Sequence, residues 1–294
     1  MITKPNVKVN LGLNVLRKRE DGFHDLETLF VPYFGIYDTL EIITGDDYSR
    51  TSAALFGKYG AHADGRLVQA ISPDGRLMIT IAREEGVDWD PLKDLCAKAF
   101  FMLAEDFELP SVKIFLEKTS PVGAGLGGGS ADAAFTLRML SDMFKLNLDD
   151  DVLASYASRL GSDCAFFVYN RPMIGEGRGE QLTPFEIDSI AFGPDDSEGQ
   201  QQYELAVVVP DGVSVSTAEA YRGIVPAVPA ISLREALARP VEEWKDVLVN
   251  DFEKTVFEAH PELKTVKPSL YESGAIYAAM SGSGSAFFGI YPRR

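Results

Sequence analysis

Between Pro121 and Ser130 the chain reads Pro-Val-Gly-Ala-Gly-Leu-Gly-Gly-Gly-Ser, with five glycines in the seven positions from Gly123 to Gly129. Glycine loses the most backbone entropy on ordering and offers no side chain to bury. Such a run makes poor core, but it brings backbone N–H groups close to a ligand, and the ligand those donors favour is an anion such as phosphate. A tight structural crossover is the bland alternative. The spacing Gly123-x-Gly125-x-x-Gly128 also matches a dinucleotide-binding turn, but the acids some twenty positions on, Asp149 to Asp151, fall in a turn rather than at a strand end. A Walker loop would need Gly-Lys-Ser/Thr, and no lysine follows Gly129.

Four other sites carry chemistry-bearing residues. Lys8 and Asn10 alternate with apolar residues over positions 7–15, so they share one strand face with Gly12 and Asn14. That face reads as polar and partly open, fit either to hold a ligand or simply to meet solvent. His24 follows Phe23 at the lip of a charged turn, where it could contact a planar ring or stand as an ordinary surface histidine. Asp163 sits between a helix stop at Gly161 and an apolar run, as a helix cap or as a carboxylate held at a site edge. A second glycine cluster, Met280-Ser281-Gly282-Ser283-Gly284-Ser285, is small enough to pack beside the first or beside a ligand.

The elements that must position these residues are legible from periodicity. Val112, Ile114 and Leu116 form a strand before the glycines, and Ala133, Leu137, Leu140 and Phe144 place a helix over 130–145 after them. Strand, glycine loop and helix N-terminus together make an anion-binding arrangement. Further strands are expected at 26–31, 38–43, 76–81, 205–209 and 287–291, and helices at 91–104, 149–160, 217–221 and 244–257. Residues 174–180 read as a flexible turn, 193–202 as an acidic surface loop, and Asp132 as a capping carboxylate.

Composition limits the function classes. The 294 residues carry a formal charge of -16, which argues against a nucleic-acid backbone as the main partner and leaves room for a local basic pocket. Two cysteines, Cys96 and Cys164, are too few for a disulfide framework or a thiolate metal cluster. The absence of a long apolar run or signal-peptide core points to the cytoplasm, with no membrane, nucleic-acid or obligate protein partner expected.

Three separated segments together resemble the superfamily of galactokinase, homoserine kinase, mevalonate kinase and phosphomevalonate kinase: the polar-faced first strand, the central glycine segment with its following Ala133-Ala134, and Met280-Ser281-Gly282-Ser283-Gly284. Lys8-Val9-Asn10-Leu11, the run from Arg19 through Asp21-Gly22-Phe23-His24 to Phe30, and Leu160-Gly161-Ser162-Asp163 narrow the resemblance to the 4-diphosphocytidyl-2-C-methyl-D-erythritol kinases. The resemblance implies an α+β, two-domain small-molecule kinase fold. It would comprise a ribosomal protein S5 domain 2-like N-terminal domain over 1–200 and a ferredoxin-like C-terminal domain over 201–294.

It also implies ATP and Mg²⁺ as cofactors and a cytidylyl small molecule as substrate. Lys8 and Asp163 would be the catalytic pair. Pro121, Gly123, Gly125, Leu126, Gly127, Gly128, Gly129 and Ser130 would hold the triphosphate, with Ser130 also toward the metal. Asn10, Phe23, His24, Thr217 and Tyr221 would hold the substrate, Phe23 and Tyr221 flanking the cytosine. Two positions depart from the family pattern. Phe23 stands where tyrosine is frequent, and Asp94 corresponds to an asparagine of the adenine side whose amide donor an ionised carboxylate lacks. Weighed against this reading are another kinase of the superfamily, a noncatalytic nucleotide-binding protein on the same fold, and an oxidoreductase resting on glycine spacing alone.

Overall fold

Alternation along the strand Val112–Lys118 sends Ile114, Leu116 and Lys118 to one face and Phe115 and Glu117 to the other, and both faces are covered. On the second face Phe115 packs with Ile43, Ala82, Leu55 and Tyr59, the last two from the helix Ser52–Tyr59. The Tyr59 hydroxyl reaches Glu117 at 2.9 Å. The computed structural model describes residues 1–45, 47–60, 64–193 and 201–293, so most of the acidic loop expected over 193–202 lies outside the described residues. Two compact units emerge, each built from several chain segments.

The first unit comprises Met1–Asn6, Ile36–Ser120 and Gly128–Tyr169. Its five-stranded sheet has the order Ile2–Thr3, Thr39–Thr44, Val112–Lys118, Leu77–Arg83, Leu67–Ile71, with Leu77–Arg83 parallel to Val112–Lys118 and the other neighbours antiparallel. Helices Leu95–Asp106, Gly128–Phe144, Asp150–Leu160 and Cys164–Tyr169 complete it. Asp94 caps the first of these by accepting from Cys96 N at 2.9 Å, while its other oxygen takes the Trp89 indole N–H at 3.0 Å. Both contacts need an acceptor, which explains a carboxylate here. Residues 91–94 are a 3₁₀ turn and its cap rather than the first turn of that α-helix.

Within this unit Asp132 is not a cap. The helix starts at Gly128, which puts Asp132 in its second turn, 1% exposed. Lys118, on the helix-facing side of its strand, donates to Asp132 Oδ2 at 2.7 Å, to Ser120 Oγ at 3.1 Å and to the buried Asp38. Asp38 in turn accepts from the N–H groups of Thr119 and Ser120, both at 2.7 Å. Asp132 Oδ1 has no partner among the described residues. Burial pushes the Asp132 carboxyl well above the usual carboxylate range, with Lys118 pulling it partly back. Burial works against the Lys118 charge too, yet Asp132 and Asp38 outweigh it and raise its pKa. One ammonium thus ties the strand end, the residues before Pro121 and the start of the glycine-opened helix.

The second unit comprises Val7–Gly35, Pro121–Gly127 and Asn170–Arg294. One sheet orders Asn6–Lys18, His24–Tyr37, Met173–Gly177 and Gln181–Pro184; the other orders Ile190–Ala191, Tyr203–Val208, Phe287–Pro292 and Tyr277–Met280. The turn expected at 174–180 is therefore a hairpin, because Ile174 and Gly175 pair with Thr183 and Leu182. The helix expected over 244–257 is interrupted. It forms as Trp244–Val247 and Phe252–Ala259, and between them Val249 O accepts from Leu13 N at 2.8 Å while Asp251 N donates to Leu13 O at 2.9 Å. Bonding to a neighbouring strand overrides the helical period. Among the described residues no helix is long and apolar enough to cross a membrane.

Replacing Lys118 by Met leaves two buried carboxylates without their counter-charge, and a loss of about 3–5 kcal/mol in urea unfolding is expected. Asp132→Asn keeps the shape and an acceptor for Lys118, and should lose clearly less.

Candidate active site

The polar face of the first strand is closed rather than open. Lys8 and Asn10 are each 3% exposed. Lys8 Nζ donates to Asn10 Oδ1 at 2.5 Å and to Gly125 O at 2.9 Å, and lies 5.5 Å from the centre of the Phe30 ring. Asn10 Nδ2 donates to Thr28 Oγ1 at 3.1 Å, and Thr28 passes its own proton to Gly12 O at 2.6 Å. With its amide oxygen fixed toward Lys8 and its amide nitrogen toward Thr28, Asn10 aims the ammonium.

The glycine loop meets this strand through its carbonyls. Leu126 O accepts from Lys8 N at 2.9 Å, Ala124 O from Ala286 N at 3.1 Å, and Gly125 O from Ser281 Oγ at 3.1 Å as well as from Lys8. Ala124 and Leu126 are buried, while Gly123, Gly125 and Gly127 take positive φ of 72°, 74° and 74°. A Cβ on Gly125 would lie 2.2 Å from Ser281 O, so only glycine permits this approach. With the carbonyls engaged inward, the N–H groups of Gly123 to Gly127 donate to no backbone acceptor among the described residues. Unspent donors on alternating glycines make a concavity suited to an anion. The second glycine cluster therefore does pack against the first.

Gly128 opens the helix Gly128–Phe144, whose leading N–H groups lack intrahelical acceptors. Gly129 is exposed and Ser130 half-buried. The Ser130 hydroxyl contacts the Cys164 thiol, which burial pushes up to about 12 although that contact lowers it. Asp163 is half-buried and stands directly before the helix Cys164–Tyr169, where Cys164 N closes a turn onto Gly161 O at 3.1 Å. Asp163 and Ser130 belong to the first unit, Lys8 and Asn10 to the second. Among the described residues no three His, Cys, Asp or Glu side chains converge to hold a metal ion.

Phe23 and His24 project from a turn closed by Arg19 N to Phe23 O at 2.8 Å and braced by Arg19 on Asp25 at 2.9 Å and on Asp21 at 3.0 Å. The His24 ring stacks on Tyr221 with centroids 4.7 Å apart and planes 16° from parallel, and Tyr221 meets Phe252 edge-on. Phe23 is 54% exposed, with the Arg178 guanidinium 4.8 Å above its ring. Phe23 and Tyr221 were expected to flank a cytosine; here His24 covers one face of Tyr221 and Arg178 lies over Phe23. Thr217 is exposed in the short helix Thr217–Ala220 that leads to Tyr221. Thr28 and Arg178 were not singled out as site residues in the sequence, and Ser281 was named there only as part of the second glycine cluster. Thr28 alone had a signal, an inward strand position; the others depend on contacts with distant segments.

Comparison with known proteins bears on this arrangement. Residues 94–171 match the model of the GHMP kinases N-terminal domain, and residues 232–294 that of the GHMP kinases C-terminal domain. The chain is 43% identical over 291 residues to the 4-diphosphocytidyl-2-C-methyl-D-erythritol kinase of Bacteroides fragilis, covering 99% of this chain and 92% of the relative. With the enzyme of the same name from Parabacteroides distasonis it shares 41% identity, covering 100% and 92%.

Among solved structures, a 4-(cytidine 5'-diphospho)-2C-methyl-D-erythritol kinase superposes with a TM-score of 0.71 at 30% identity, over 98% of this chain and 89% of that one. A homoserine kinase from Cytophaga hutchinsonii, 17% identical with a TM-score of 0.55 over 99% and 87%, shares the fold alone. The two-domain α+β kinase fold expected from the motifs is thus the fold of this chain. With lysine, glycine cradle and histidine turn standing in chain order where the signature segments lie, the chain belongs to the 4-diphosphocytidyl-2-C-methyl-D-erythritol kinase family of the GHMP kinases.

Proposed function

We propose that this protein transfers the γ-phosphoryl group of ATP to the C2 hydroxyl of 4-diphosphocytidyl-2-C-methyl-D-erythritol, giving the 2-phosphate and ADP in the non-mevalonate route to isoprenoid precursors. The observation that carries this reading is the Lys8 ammonium, buried, aimed by Asn10 and fastened to the carbonyl of the phosphate loop itself. A tertiary alcohol is a poor nucleophile at neutral pH, so the protein contributes by positioning and by stabilising charge. Asp163 accepts or orients the hydroxyl proton, and Lys8 stabilises the negative charge that develops as the oxygen attacks. Asn10 contacts the erythritol end. The family matches at 94–171 and 232–294 fall on either side of the proposed division at 200/201, while the two compact units interleave along the chain.

The N–H groups of Gly123 to Gly129 hold the triphosphate, and Pro121 and Leu126 shape the loop around them. Mg²⁺ neutralises charge on the transferred phosphate when bound. The donor set fits it: magnesium keeps most of its ligands from phosphate and water, and Ser130 offers one hydroxyl. His24 reads the base. Burial, and secondarily the Lys18 charge, hold its pKa below the ordinary 6.5, so at neutral pH the ring presents one donor and one acceptor to the cytosine edge. Phe23, Tyr221 and Thr217 frame that contact. A soluble nucleotide-linked substrate is consistent with a cytoplasmic protein.

The direct test offers ATP and Mg²⁺ with the cytidylyl substrate, mevalonate, homoserine and simple sugars in parallel, reading ADP and phosphorylated product. Product is expected from the cytidylyl substrate alone; comparable turnover of mevalonate or homoserine would overturn the substrate assignment. His24→Ala should raise KM for that substrate about 10- to 100-fold with kcat nearly kept. Because protonation removes the acceptor nitrogen, KM of the unmodified protein should be flat above pH 7 and rise as pH falls below the depressed His24 pKa. His24→Gln should lack that rise.

A further inference from the structure

We infer that Asn250 is a positioning residue for phosphoryl transfer, acting through the Ser281-Gly282 turn on Lys8 and Asn10. The inference rests on the reading of Lys8 given above. Asn250 is 3% exposed and lies in the extended break between the helices Trp244–Val247 and Phe252–Ala259. All of its amide capacity that the structure pairs is spent on two tasks. Nδ2 donates to Met280 O at 2.7 Å and to Gly282 O at 2.8 Å, while Oδ1 accepts from Phe252 N at 3.0 Å. The first two bonds grip the carbonyls on either side of Ser281, where the turn closed by Gly284 N on Ser281 O begins, and the third holds that grip to a helix start.

That turn is what closes on the reacting centre. Ser281 Oγ reaches Gly125 O at 3.1 Å and accepts from Asn10 N at 3.3 Å. Gly282 takes φ of 53°, and a Cβ there would lie 3.1 Å from Asn10 Oδ1 and 3.4 Å from Lys8 Nζ. The backbone of the turn therefore forms a wall against which the Lys8–Asn10 pair is set. On the far side, the residues flanking Asn250 bond to Leu13 on the same strand that carries Lys8, and Asp251 Oδ2 accepts from Val15 N at 2.7 Å. Asn250 is thus fixed to the strand of Lys8 at one end and to the wall beside Lys8 at the other. Displacement of a catalytic group by about 1 Å costs on the order of 100-fold in rate, which gives this clamp kinetic leverage.

The test is Asn250→Asp, which keeps the shape but turns a carboxylate oxygen toward two carbonyls, beside Asn250→Ser, which keeps one smaller donor. Unfolding midpoints, ATP binding, kcat and both KM values are read for each, with Lys8→Ala in parallel. Asn250→Asp should fold and bind ATP, lose about 10- to 100-fold in kcat, and hold both KM values within about threefold. Asn250→Ser should fall between. Unchanged kcat in either folded variant, or a loss confined to KM, overturns the inference, as does failure of both to fold, which would make Asn250 purely structural. If Lys8→Ala keeps its kcat, the reading of Lys8 fails and the inference with it. Collapse of Lys8→Ala beside wild-type rates in the Asn250 variants refutes the inference alone.

Discussion

The carbonyl oxygen of Gly125 accepts from the Lys8 ammonium and from the Ser281 hydroxyl at once. Three segments far apart in sequence meet at that atom: the first strand, the central glycine loop and the late glycine turn. A buried ammonium is tolerable only with its protons spent on good acceptors, and a glycine carbonyl costs no side-chain volume where backbones must touch. The same inward turn of the carbonyls leaves the loop's N–H groups without a backbone acceptor among the described residues. Under the function proposed above, cation placement and anion binding are two results of one backbone conformation.

A second buried cation organises the first unit by different means. Lys118 sits between Asp38 and Asp132 and fixes the strand end and the beginning of the helix that the glycines open. Pairs of this kind add little net stability over well-packed apolar residues, and their use is geometric, since breaking one strands a charge. The start of that helix is held in register by the Lys118 ion pairs.

Much of this is legible in the sequence. Alternation located the strands that became Asn6–Lys18 and Val112–Lys118, and the glycine run placed a helix start within two residues of Gly128. What periodicity could not supply was the state of the polar face. Lys8 and Asn10 were expected partly open because a polar face ordinarily meets water, yet they are buried beneath a turn from residues 281–282, which no local pattern reveals. The helix across 248–251 fails for the same reason, since the backbone partner is Leu13. Asp132 was misread because capping is judged by distance from a helix start, and Lys118 claims it from another strand. Local propensity was right where neighbours along the chain decide, and wrong where a distant segment supplied the hydrogen bond.

Phosphoryl transfer as proposed depends on Lys8 acting at the reacting atoms. A crystal structure of the protein with a nonhydrolysable ATP analogue, Mg²⁺ and the cytidylyl substrate measures this directly. The Lys8 nitrogen is predicted at about 3 Å from the C2 hydroxyl oxygen or from a γ-phosphate oxygen, with an Asp163 oxygen at similar range of the same hydroxyl. A Lys8 nitrogen still held by Asn10 and Gly125, more than about 6 Å from both reacting groups, would contradict this and leave Lys8 a structural pin of the glycine loop.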